Sequence, residues 1–472
     1  MINARKWLRQ SVAEEFAGAQ LGDGRRTARL QAIARAAVRS PAVGFPQMVE
    51  SDGELEGVYR FLSNEAVEPE AVLAPHVEST MARARQASFC LVIHDTSEFR
   101  FNGDAEREGL GLLSHKGRGF LGHFSLAVVP GPERIPLGLC GMERVCRQVR
   151  KDQVRKRHSH YIAKDPTRES LRWLRMLDAV EDRRDGFECI HVMDQEGDMF
   201  DLMALAIDRG ARFVIRGNKD RALAEQPGLV GDLLTRLEPR THRDADVGAR
   251  KAKRRELIKS RPRRGAARKR RTARLAISST SVEIKRPKVA HAAQRSLKFN
   301  IVYAWETSPP KGEEPVDWVL FTTEAVDTVD QLNAIIDYYQ CRWTIEEFFK
   351  ALKTGCAYEK RQLESYDALS NALAIFSVIA WRLLLARSVS RAHPTAAARS
   401  VLSDTQLRLL KHRLKLTKLP ENAKDAAYAV ARLGGHIKNN GDPGWQTLGR
   451  GFEKLLLLLE AGWRLALEFS PS

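Results

Sequence analysis

Short apolar runs rich in β-branched residues alternate with helical patterns through the middle of this chain. Five runs have the length and composition of buried strands: residues 88–95, 120–129, 135–140, 189–194 and 212–216. Helical patterns fill two of the intervals, at 169–177 and 199–209. Because strands that alternate with helices pack as layers around one sheet, this pattern predicts an α/β core.

The patterns on either side of this core are different. Residues 1–70 are helical in pattern, and so is most of the chain after residue 327. Residues 220–327 contain a basic run and then β patterns, which predict a small β insertion that ends in a hairpin. The sequence therefore predicts three domains: a helical domain over 1–70, an α/β core over 71–370 with the insertion at about 220–327, and a helical domain over 371–472.

Two of the predicted strands end in an acid. Asp95 follows one apolar run, and Asp194 follows another. Ligands bind in open α/β sheets at the carboxyl edge of the strands, so two adjacent strands would bring these carboxylates together there. An acid in this position is often only a turn residue. As a pair, they predict a site for a hard cation such as Mg²⁺, which prefers oxygen ligands.

A third acid lies on a predicted helix with an unusual polar stripe. The segment 339–353 is rich in helix-forming residues, and Gly355 follows its end. At 3.6 residues per turn, Arg342, Glu346 and Lys353 lie within roughly 60° of Tyr339. A phenol, a guanidinium, a carboxylate and an ammonium on one face do not form a core. This stripe suits a site that holds a phosphodiester and supplies Glu346 as a metal ligand.

The composition favours a nucleic-acid partner. The chain has 472 residues, is 43% hydrophobic and carries a formal net charge of +18. That charge favours a polyanion, and nucleic acid before a membrane. Residues 250–274 hold fourteen Lys or Arg and one Glu. This basic run is interpreted either as a solvated loop or as an arm that tracks phosphates, and both can be true.

The cysteines and apolar segments bear on location. Six cysteines lie far apart without a CxxC pair, which argues against a zinc site or a disulfide framework and fits a reducing cytosol. The start of the chain lacks the apolar stretch of a signal peptide. The longest apolar run, 372–385, is interrupted by Ser377 and Arg382, and we expect it to be too short to span a bilayer.

The pattern Tyr339-x2-Arg342-x3-Glu346-x6-Lys353 resembles the signature of bacterial cut-and-paste DDE transposases of the insertion-sequence-four family. The resemblance implies a ribonuclease-H-like catalytic core with a β-strand insertion, flanked by helical N- and C-terminal domains. It also implies that Asp95, Asp194 and Glu346 form the metal triad. Asp95-Thr-Ser is similar to the family's Asp-Thr-Thr, and Asp194-Gln-Glu-Gly-Asp to its Asp-Arg-Glu-x-Asp. Gln195 replaces the arginine of that motif, which removes a cation beside the metal.

The resemblance implies further DNA contacts. Tyr339, Arg342 and Lys353 would hold phosphates beside the scissile bond, and Arg216 would contact DNA near the site. Trp318 would stack on a base flipped from the transposon end, which offsets part of the cost of unstacking. The N-terminal residues expected to contact the transposon end are Arg25, Arg26, Arg29 and Arg60, of which the first three lie near a helix N-terminus that Asp23 could cap.

These likenesses predict a DNA transposase that acts on its own terminal inverted repeats and on target DNA. The cofactor would be Mg²⁺, with Mn²⁺ as a substitute, and the partner a second copy in a synaptic homodimer. Residues 443–452 resemble the family's dimerisation region, although an intramolecular packing helix would fit them as well. We expect a bacterial, cytoplasmic, nucleoid-associated protein without a membrane partner.

Two other functions fit parts of the pattern. One is a catalytically silent protein that binds transposon ends or inhibits transposition, against which the intact set of three acids argues. The other is a ribonuclease or junction nuclease on the same fold. The Tyr-Arg-Glu-Lys helix and the β insertion argue against that nuclease.

Overall fold

A computed structural model describes residues 4–101, 107–113, 117–147, 168–247, 271–392, 394–402 and 404–437, with a few positions between 443 and 458. Two units can be distinguished. Unit 1 comprises Met1–Lys156, Asp178–Cys189 and Cys341–Ser472, and unit 2 comprises Arg157–Leu177 and Ile190–Gln340. Most of the basic run 250–274 and most residues after 437 lie outside the described residues. The three predicted domain boundaries stay a prediction.

The N-terminal region of unit 1 is helical, as the sequence predicted. Its helices are α1 (Ala4–Arg9), α2 (Gly24–Arg39), α3 (Phe45–Met48), α4 (Asp52–Leu62) and α5 (Pro69–Ala87), with a 3-10 turn at Val12–Phe16. Asp23 caps α2, because its carboxylate accepts a hydrogen bond from the backbone N–H of Arg25 at 2.9 Å. Ser51 caps α4 in the same way through the N–H of Glu54. The predicted cap at Asp23 is therefore confirmed.

Unit 1 also contains an antiparallel sheet. Its strands are β1 (Phe89–Arg100), β2 (Gly111–Leu112), β3 (Arg118–Val128) and β4 (Pro136–Val145). β3 pairs with β1 on one side and with β2 and β4 on the other. The prediction that β1 ends at Asp95 is wrong, since its pairing continues to Arg100 opposite Gly119. What ends at His94 is the fully buried part of the strand, and residues 95–98 are half-buried.

Unit 2 is built on a mixed sheet. β5 (Glu188–Met193) and β6 (Arg212–Arg216) are parallel and are connected by α7 (Phe200–Asp208). This is the crossover that a parallel pair requires. The other strands are β7 (Thr241–Val247), β8 (Arg271–Lys285), β9 (Ser296–Glu306) and β10 (Asp317–Thr322), and the short helix α8 spans Val230–Leu234. α6 (Leu171–Glu181) begins in unit 2.

The insertion strands extend the sheet of unit 2 and do not form a separate small β unit. β10 pairs antiparallel with β6, and the order continues from β10 through β9 and β8 to β7. One face of this sheet is covered by apolar side chains of α6 and α7, among them Trp173, Phe200 and Met203. The β9–β10 hairpin itself is confirmed. The mixed α/β class predicted from the sequence is also confirmed.

The C-terminal part of the chain is helical. Its helices are α9 (Val329–Cys341), α10 (Trp343–Lys350), α11 (Tyr366–Ala392), α12 (Asp404–Arg413) and α13 (Ala423–Leu433). α11 is long and apolar enough to cross a membrane by length and composition, with a mean hydropathy of 1.8. However, 89% of its most apolar 18-residue stretch is buried inside the protein, so α11 is a core helix here.

A buried polar cluster holds four parts of unit 1 together. Glu15, in the 3-10 turn, contacts both His76 and Arg83 of α5, and all three side chains are buried. The Arg83 guanidinium also lies 4.5 Å from the ring centroid of Trp381 on α11 and donates to Leu137 O of β4 at 3.0 Å. A charged cluster this deep is stable only because every charge has a partner.

The hydrogen bonds of His76 define its protonation. Its Nε2 accepts from the backbone N–H of Leu139 at 3.1 Å, so Nε2 carries no proton. Its Nδ1 then carries the proton and donates to Glu15 Oε2 at 2.6 Å. Burial lowers the pKa of His76, which keeps the ring neutral. Burial alone would raise the pKa of Glu15, but His76 and Arg83 hold it below its usual value.

We predict that Glu15→Ala lowers the free energy of unfolding by about 3–5 kcal/mol, because it leaves the Arg83 charge buried without an acid. Chemical denaturation measures this change. Glu14→Ala is the control, since Glu14 is exposed and only completes the helix cap, and it should cost about 1 kcal/mol or less. The double variant Glu15→Leu/Arg83→Met should lose less free energy of unfolding than Glu15→Ala, because it leaves no charge unpaired. An equal or larger loss in the double variant would contradict this account.

The same cluster predicts a pH dependence. In the folded state the pKa values of both His76 and Glu15 are lowered, so the unfolded chain binds more protons at acidic pH. The stability that they contribute is fully present above about pH 6.5 and is lost as the pH falls below that value. The free energy of unfolding of wild type and His76→Gln, measured between pH 5 and 8, tests this pH dependence. The wild-type curve should have the steeper acid slope, and parallel curves would contradict the prediction.

Candidate functional site

Asp95 and Glu346 converge on one guanidinium in unit 1. Arg342 lies at the junction of α9 and α10, and its two terminal nitrogens contact different acids. One is 3.0 Å from Asp95 Oδ2 on β1, and the other is 2.6 Å from Glu346 Oε1 on α10. The Arg342 and Asp95 side chains are each 15% exposed, so the ion pair is largely shielded from water. The structure thus brings Arg342 together with Asp95, which is 247 positions away in sequence, and with Glu346, which is 4 positions away.

The strand around Asp95 adds polar groups. The backbone N–H of Thr96 donates to Asp95 Oδ1 at 2.7 Å, which fixes the orientation of that carboxylate. The Thr96 hydroxyl is 2.9 Å from Nδ1 of His123 on β3, and His123 stacks on His94 at 6.0 Å. Neither histidine was identified from the sequence. The signal available for His123 was a histidine in the middle of an apolar strand pattern.

The predicted stripe is not one regular helix. α9 ends at Cys341, α10 covers Trp343–Lys350, and a π-helical turn follows at Ala351–Gly355. The expectation of an unbroken helix from 339 to 353 is therefore wrong. A π turn has more residues per turn than an α-helix, so the stripe predicted by a 100° rotation does not hold through Lys353.

Lys353 is held on the wall of a polar cleft in unit 1. Its ammonium donates to the carbonyl oxygen of Glu98 and lies 3.6 Å from Glu359 Oε1. Burial lowers the pKa of Lys353, and Glu359 partly offsets that effect. The other residues that line the cleft are Arg100 and Lys360. Three cations and two acids at one cleft leave a net positive charge for an anion.

Glu347, the neighbour of Glu346, points to another element. Its carboxylate is 3.1 Å from Arg387 and 3.7 Å from Arg391, both on α11. The two adjacent glutamates of α10 therefore have different partners. Glu347 holds α10 against α11 and is not part of the Asp95–Arg342–Glu346 set.

An exposed tryptophan on α10 was not singled out from the sequence. Trp343 is 40% exposed, and the ammonium of Lys350 lies 5.2 Å from the centroid of its ring. Trp343, Glu346 and Lys350 follow at helical spacings of three and four, which places them on one face of α10. An exposed indole is a surface on which a nucleobase can stack. The sequence signal was a large apolar residue at the start of a polar helical face.

In unit 2, Asp194 directly follows β5, as predicted. It caps the 3-10 turn Gln195–Gly197 by accepting from the N–H of Glu196 at 2.8 Å. The nearby Asp198 is buried and holds the chain after β6, since it accepts from the N–H groups of Asn218 and Lys219 and pairs with Arg221. Asp194 is therefore the half-buried acid at this strand end, and Asp198 has a structural role.

Three more predicted residues lie in unit 2. The Arg216 guanidinium donates to the carbonyl oxygen of Asp317 at 3.3 Å. The rings of Trp318 and Tyr339 meet edge to face at 5.4 Å. Tyr339 is only 7% exposed, so it belongs to the core of unit 2. Phosphate contact by Tyr339 and Arg216 and base stacking by Trp318 stay predictions.

The predicted N-terminal arginines have different surroundings. Arg25 is exposed and paired with Asp23 at 3.0 Å, and Arg60 is exposed and paired with Glu56 at 3.0 Å. Arg26 donates to Leu21 O at 2.7 Å. Arg29 lies against Gly57 of α4, where a Cβ would come within 2.8 Å of its guanidinium carbon. Gly57 therefore leaves the space that Arg29 fills between α2 and α4.

The donor set around Arg342 fits a divalent metal ion. Asp95 and Glu346 supply hard carboxylate oxygens that already converge on a cation, and oxygen ligands of this kind suit Mg²⁺ or Mn²⁺. Arg342 and a metal ion would then compete for the same oxygens. The residues that would hold the ion in unit 1 are Asp95 and Glu346.

Two segments of the chain match models of known families. Residues 7–67 match the transposase DNA-binding domain, and residues 171–382 match the transposase DDE domain. The second match includes Asp194 and Glu346, whereas Asp95 lies before it. Among solved structures, the chain is similar to a piggyBac transposase synaptic complex with hairpin DNA, studied by cryo-EM. That similarity has 8% identity and a TM-score of 0.39, and covers 99% of this chain and 81% of the other.

We predict that Arg342→Gln raises the Mn²⁺ affinity of the DNA-free protein by roughly threefold to tenfold. It removes a competing cation whose ion pairs are worth about 1 kcal/mol. Titration followed by the electron paramagnetic resonance of Mn²⁺ measures the affinity. Arg387→Gln is the matched control, because it removes an arginine bound to Glu347, and it should leave the affinity unchanged. Unchanged or weaker binding in Arg342→Gln would refute the competition.

Proposed function

Because the chain carries the DNA-binding and DDE domains of a transposase, it is a DDE transposase, and we propose that it works by a cut-and-paste mechanism. We assign it to the insertion-sequence-four family, with its nearest likeness to the transposase of transposon five. The observation that carries this proposal is the convergence of Asp95 and Glu346 on Arg342, inside the Tyr-Arg-Glu-Lys pattern of that family.

Asp95, Asp194 and Glu346 are the three catalytic acids of this proposal. DDE transposase domains use divalent metal ions, and Mg²⁺, with Mn²⁺ as a substitute, is the ion proposed here. When bound, Mg²⁺ supplies an activated water and neutralises charge on the phosphate. Support for these residues comes from the half-buried positions of Asp95 and Asp194 at β1 and β5, and from the shared contact of Asp95 and Glu346.

The proposed reaction consists of successive phosphoryl transfers. Water attacks the phosphodiester at the transposon end and releases a 3′-hydroxyl. That hydroxyl attacks the opposite strand and leaves a hairpin on the transposon end. A second water opens the hairpin, and the regenerated 3′-hydroxyl attacks target DNA. In the two steps with a 3′-hydroxyl, one phosphoester bond forms as another breaks. In the two steps with water, a phosphoester is hydrolysed to a phosphate group and a 3′-hydroxyl, so each consumes one water and no reductant or nucleotide.

Cations on unit 1 hold the phosphates of the substrate. The Arg342 guanidinium can bind two phosphate oxygens once it leaves the carboxylates, and the Lys353 ammonium acts as a point charge. Lys353 is partly desolvated, and its acidic neighbours are Glu359 at 3.6 Å and Glu98. A phosphate in the cleft beside Lys353 would gain from this low hydration. Tyr339 and Arg216 are proposed to contact phosphates as well.

The helices of residues 7–67 are proposed to bind the transposon end. Arg25 is 93% exposed at the N-terminus of α2, where backbone N–H groups and the helix dipole also favour phosphate. Arg26, Arg29 and Arg60 complete this surface. We further propose that two copies form the synaptic complex, in the bacterial cytoplasm on the nucleoid. Six of the ten residues of the proposed dimerisation segment 443–452 lie outside the described residues.

The competing proposal is a catalytically silent protein that binds transposon ends. Both proposals are consistent with the match of residues 7–67 to a DNA-binding domain, so a DNA-binding measurement cannot distinguish them. Gln195, which replaces a basic residue of the family motif, is the one sequence feature that favours it. Cleavage separates the two proposals.

We predict metal-dependent cuts at a pair of inverted repeats when the purified chain meets linear DNA with the gene and its natural flanks. EDTA should abolish the cuts. Asp95→Asn, Asp194→Asn and Glu346→Gln should each lower the cleavage rate by at least about 10³-fold, because each removes a charge needed for electrostatic stabilisation. Glu347→Gln is the matched control and should cut within about twofold of wild type. Binding of the repeats without any cut would establish the silent protein instead.

A separate prediction concerns Trp318. Trp318→Ala should spare the first nick and lower the hairpin yield by roughly tenfold or more, since base stacking on an aromatic is worth about 1–3 kcal/mol. Denaturing gels of single-turnover reactions measure both products. Trp318→Phe keeps a ring against Tyr339 and should give an intermediate yield. Trp305→Ala controls for loss of a half-buried Trp on the paired strand β9, opposite Asp317. Hairpin yields that are equal in all variants would remove the stacking role.

A further inference from the structure

A dense group of exposed cations lies on α12 and the turn that follows it. Arg408, Lys411, Arg413, Lys415 and Lys418 are all exposed, and His412 lies among them. No acid occurs between Asp404 and Glu421 in the sequence. Arg408, Lys411 and His412 are spaced at three and four positions, which aligns them along one side of the helix, and Lys415 follows just after its end. We call these five Lys and Arg residues the α12 basic surface.

The charges of the α12 basic surface are not neutralised within the described part of the chain. Asp404, the acid nearest to them on the helix, is bound to Arg399 at 2.5 Å. Within the ranges that the structure describes, none of the five cations forms an ion pair. Elsewhere in unit 1, by contrast, exposed arginines such as Arg25 and Arg60 are paired with acids. An unpaired cluster of like charges is disfavoured by repulsion unless a polyanion binds to it.

The backbone at Lys415 adds an independent observation. α12 ends in a Schellman motif, with the N–H of Lys415 bonded to His412 O and the N–H of Leu416 bonded to Lys411 O. Lys415 is the left-handed residue of this motif, with a φ of 50°. Glycine is the usual residue there because a Cβ is unfavourable in that conformation. This chain places a lysine where the helix cap alone would favour glycine.

The α12 basic surface has a fixed support. Leu407 and Leu410 of α12 are buried against Ala426, Ala429 and Val430 of α13 in a small core. This core holds the helix in place. At 100° per residue, Arg408 and His412 lie on the side of α12 away from Leu407 and Leu410. Lys411 and Arg413 lie on its two flanks. Lys411, His412 and Arg413 would also stabilise the C-terminus of an isolated helix through its dipole, but Arg408 and Lys418 lie outside the last turn.

We propose that the α12 basic surface binds the phosphate backbone of target DNA without reading its sequence. This inference rests on the proposed function, since only strand transfer requires a target duplex. Its exposed side chains are cations, which position a duplex but carry little base information. It lies outside both segments that match transposase domains, including residues 7–67, which match the DNA-binding domain. Target DNA is therefore a better fit to this surface than the transposon end.

The test measures binding of the full chain to a duplex without end sequences, over a range of salt concentrations. The variant Arg408→Gln/Lys411→Gln/Arg413→Gln/Lys415→Gln removes four charges. The slope of log K against log salt should become shallower by up to about 3–4, because each lost phosphate contact removes about 0.9. Cleavage at the transposon ends should stay within about twofold of wild type, while strand transfer into target falls at least about tenfold.

A matched control removes four charges from another place. Lys285, Lys288, Arg295 and Lys298 are exposed around the β8–β9 turn of unit 2. Changing these four to Gln should leave the slope within about 1 of wild type. An equal loss in both variants would overturn the proposal, because net charge alone would then explain it. A loss of binding to the transposon end with target binding intact would overturn it as well.

Lys415→Gly separates folding from binding. Glycine relieves the left-handed conformation, so the melting temperature should stay equal or rise, whereas target-duplex affinity should fall about twofold to fivefold. A lower affinity with a lower melting temperature, or an unchanged affinity, would contradict a DNA contact at Lys415. If the wild type cuts its ends but the α12 variants transfer strands normally, only this inference fails. If the wild type binds no duplex DNA at all, the proposed function fails with it.

Discussion

The chemistry of unit 1 depends on one constraint, that two carboxylates cannot stay close without a cation. Asp95 and Glu346 come from a strand and a helix that are about 250 residues apart, and Arg342 is the cation that holds both. This contact fixes α10 relative to β1. A metal ion can take the place of the guanidinium at the same oxygens. Arg342 would then be free to bind a phosphate, so one side chain connects the folded state to the proposed catalytic state.

Unit 1 meets the same requirement in its interior with a closed set of partners. Glu15, His76 and Arg83 are buried, and every charge or ring nitrogen among them is bonded or lies against an aromatic ring. The cluster fastens the N-terminal turn, α5, β4 and α11 to one another. It stabilises the scaffold that carries Asp95 and Glu346. A buried cluster whose charges are paired stabilises the fold. An exposed cluster of unpaired cations, such as the α12 basic surface, is instead available to bind an anion.

Neighbouring residues of the same type have different roles here because they face different elements. Glu346 contacts Arg342, whereas Glu347 contacts two arginines of α11. Asp194 is half-buried at the end of β5, whereas Asp198 is buried and holds the turn after β6. In both pairs, the direction in which the carboxylate points distinguishes a candidate metal ligand from an acid with a structural role. Such a distinction cannot be read from composition.

Local patterns determined much of this protein by themselves. The apolar runs predicted the strands β3, β5 and β6 within a few residues, and the helical spacing placed Arg342 on the same side as Glu346, where the two side chains meet. These features depend on hydrophobic periodicity and on hydrogen bonds between residues close in sequence, so they can be predicted from the sequence. Tertiary pairing decided the rest. The extension of β1 to Arg100 comes from β3, the attachment of the insertion comes from β10 pairing with β6, and the burial of Tyr339 comes from packing on Trp318. These depend on partners distant in sequence, and no local pattern specifies which distant partner a segment will have.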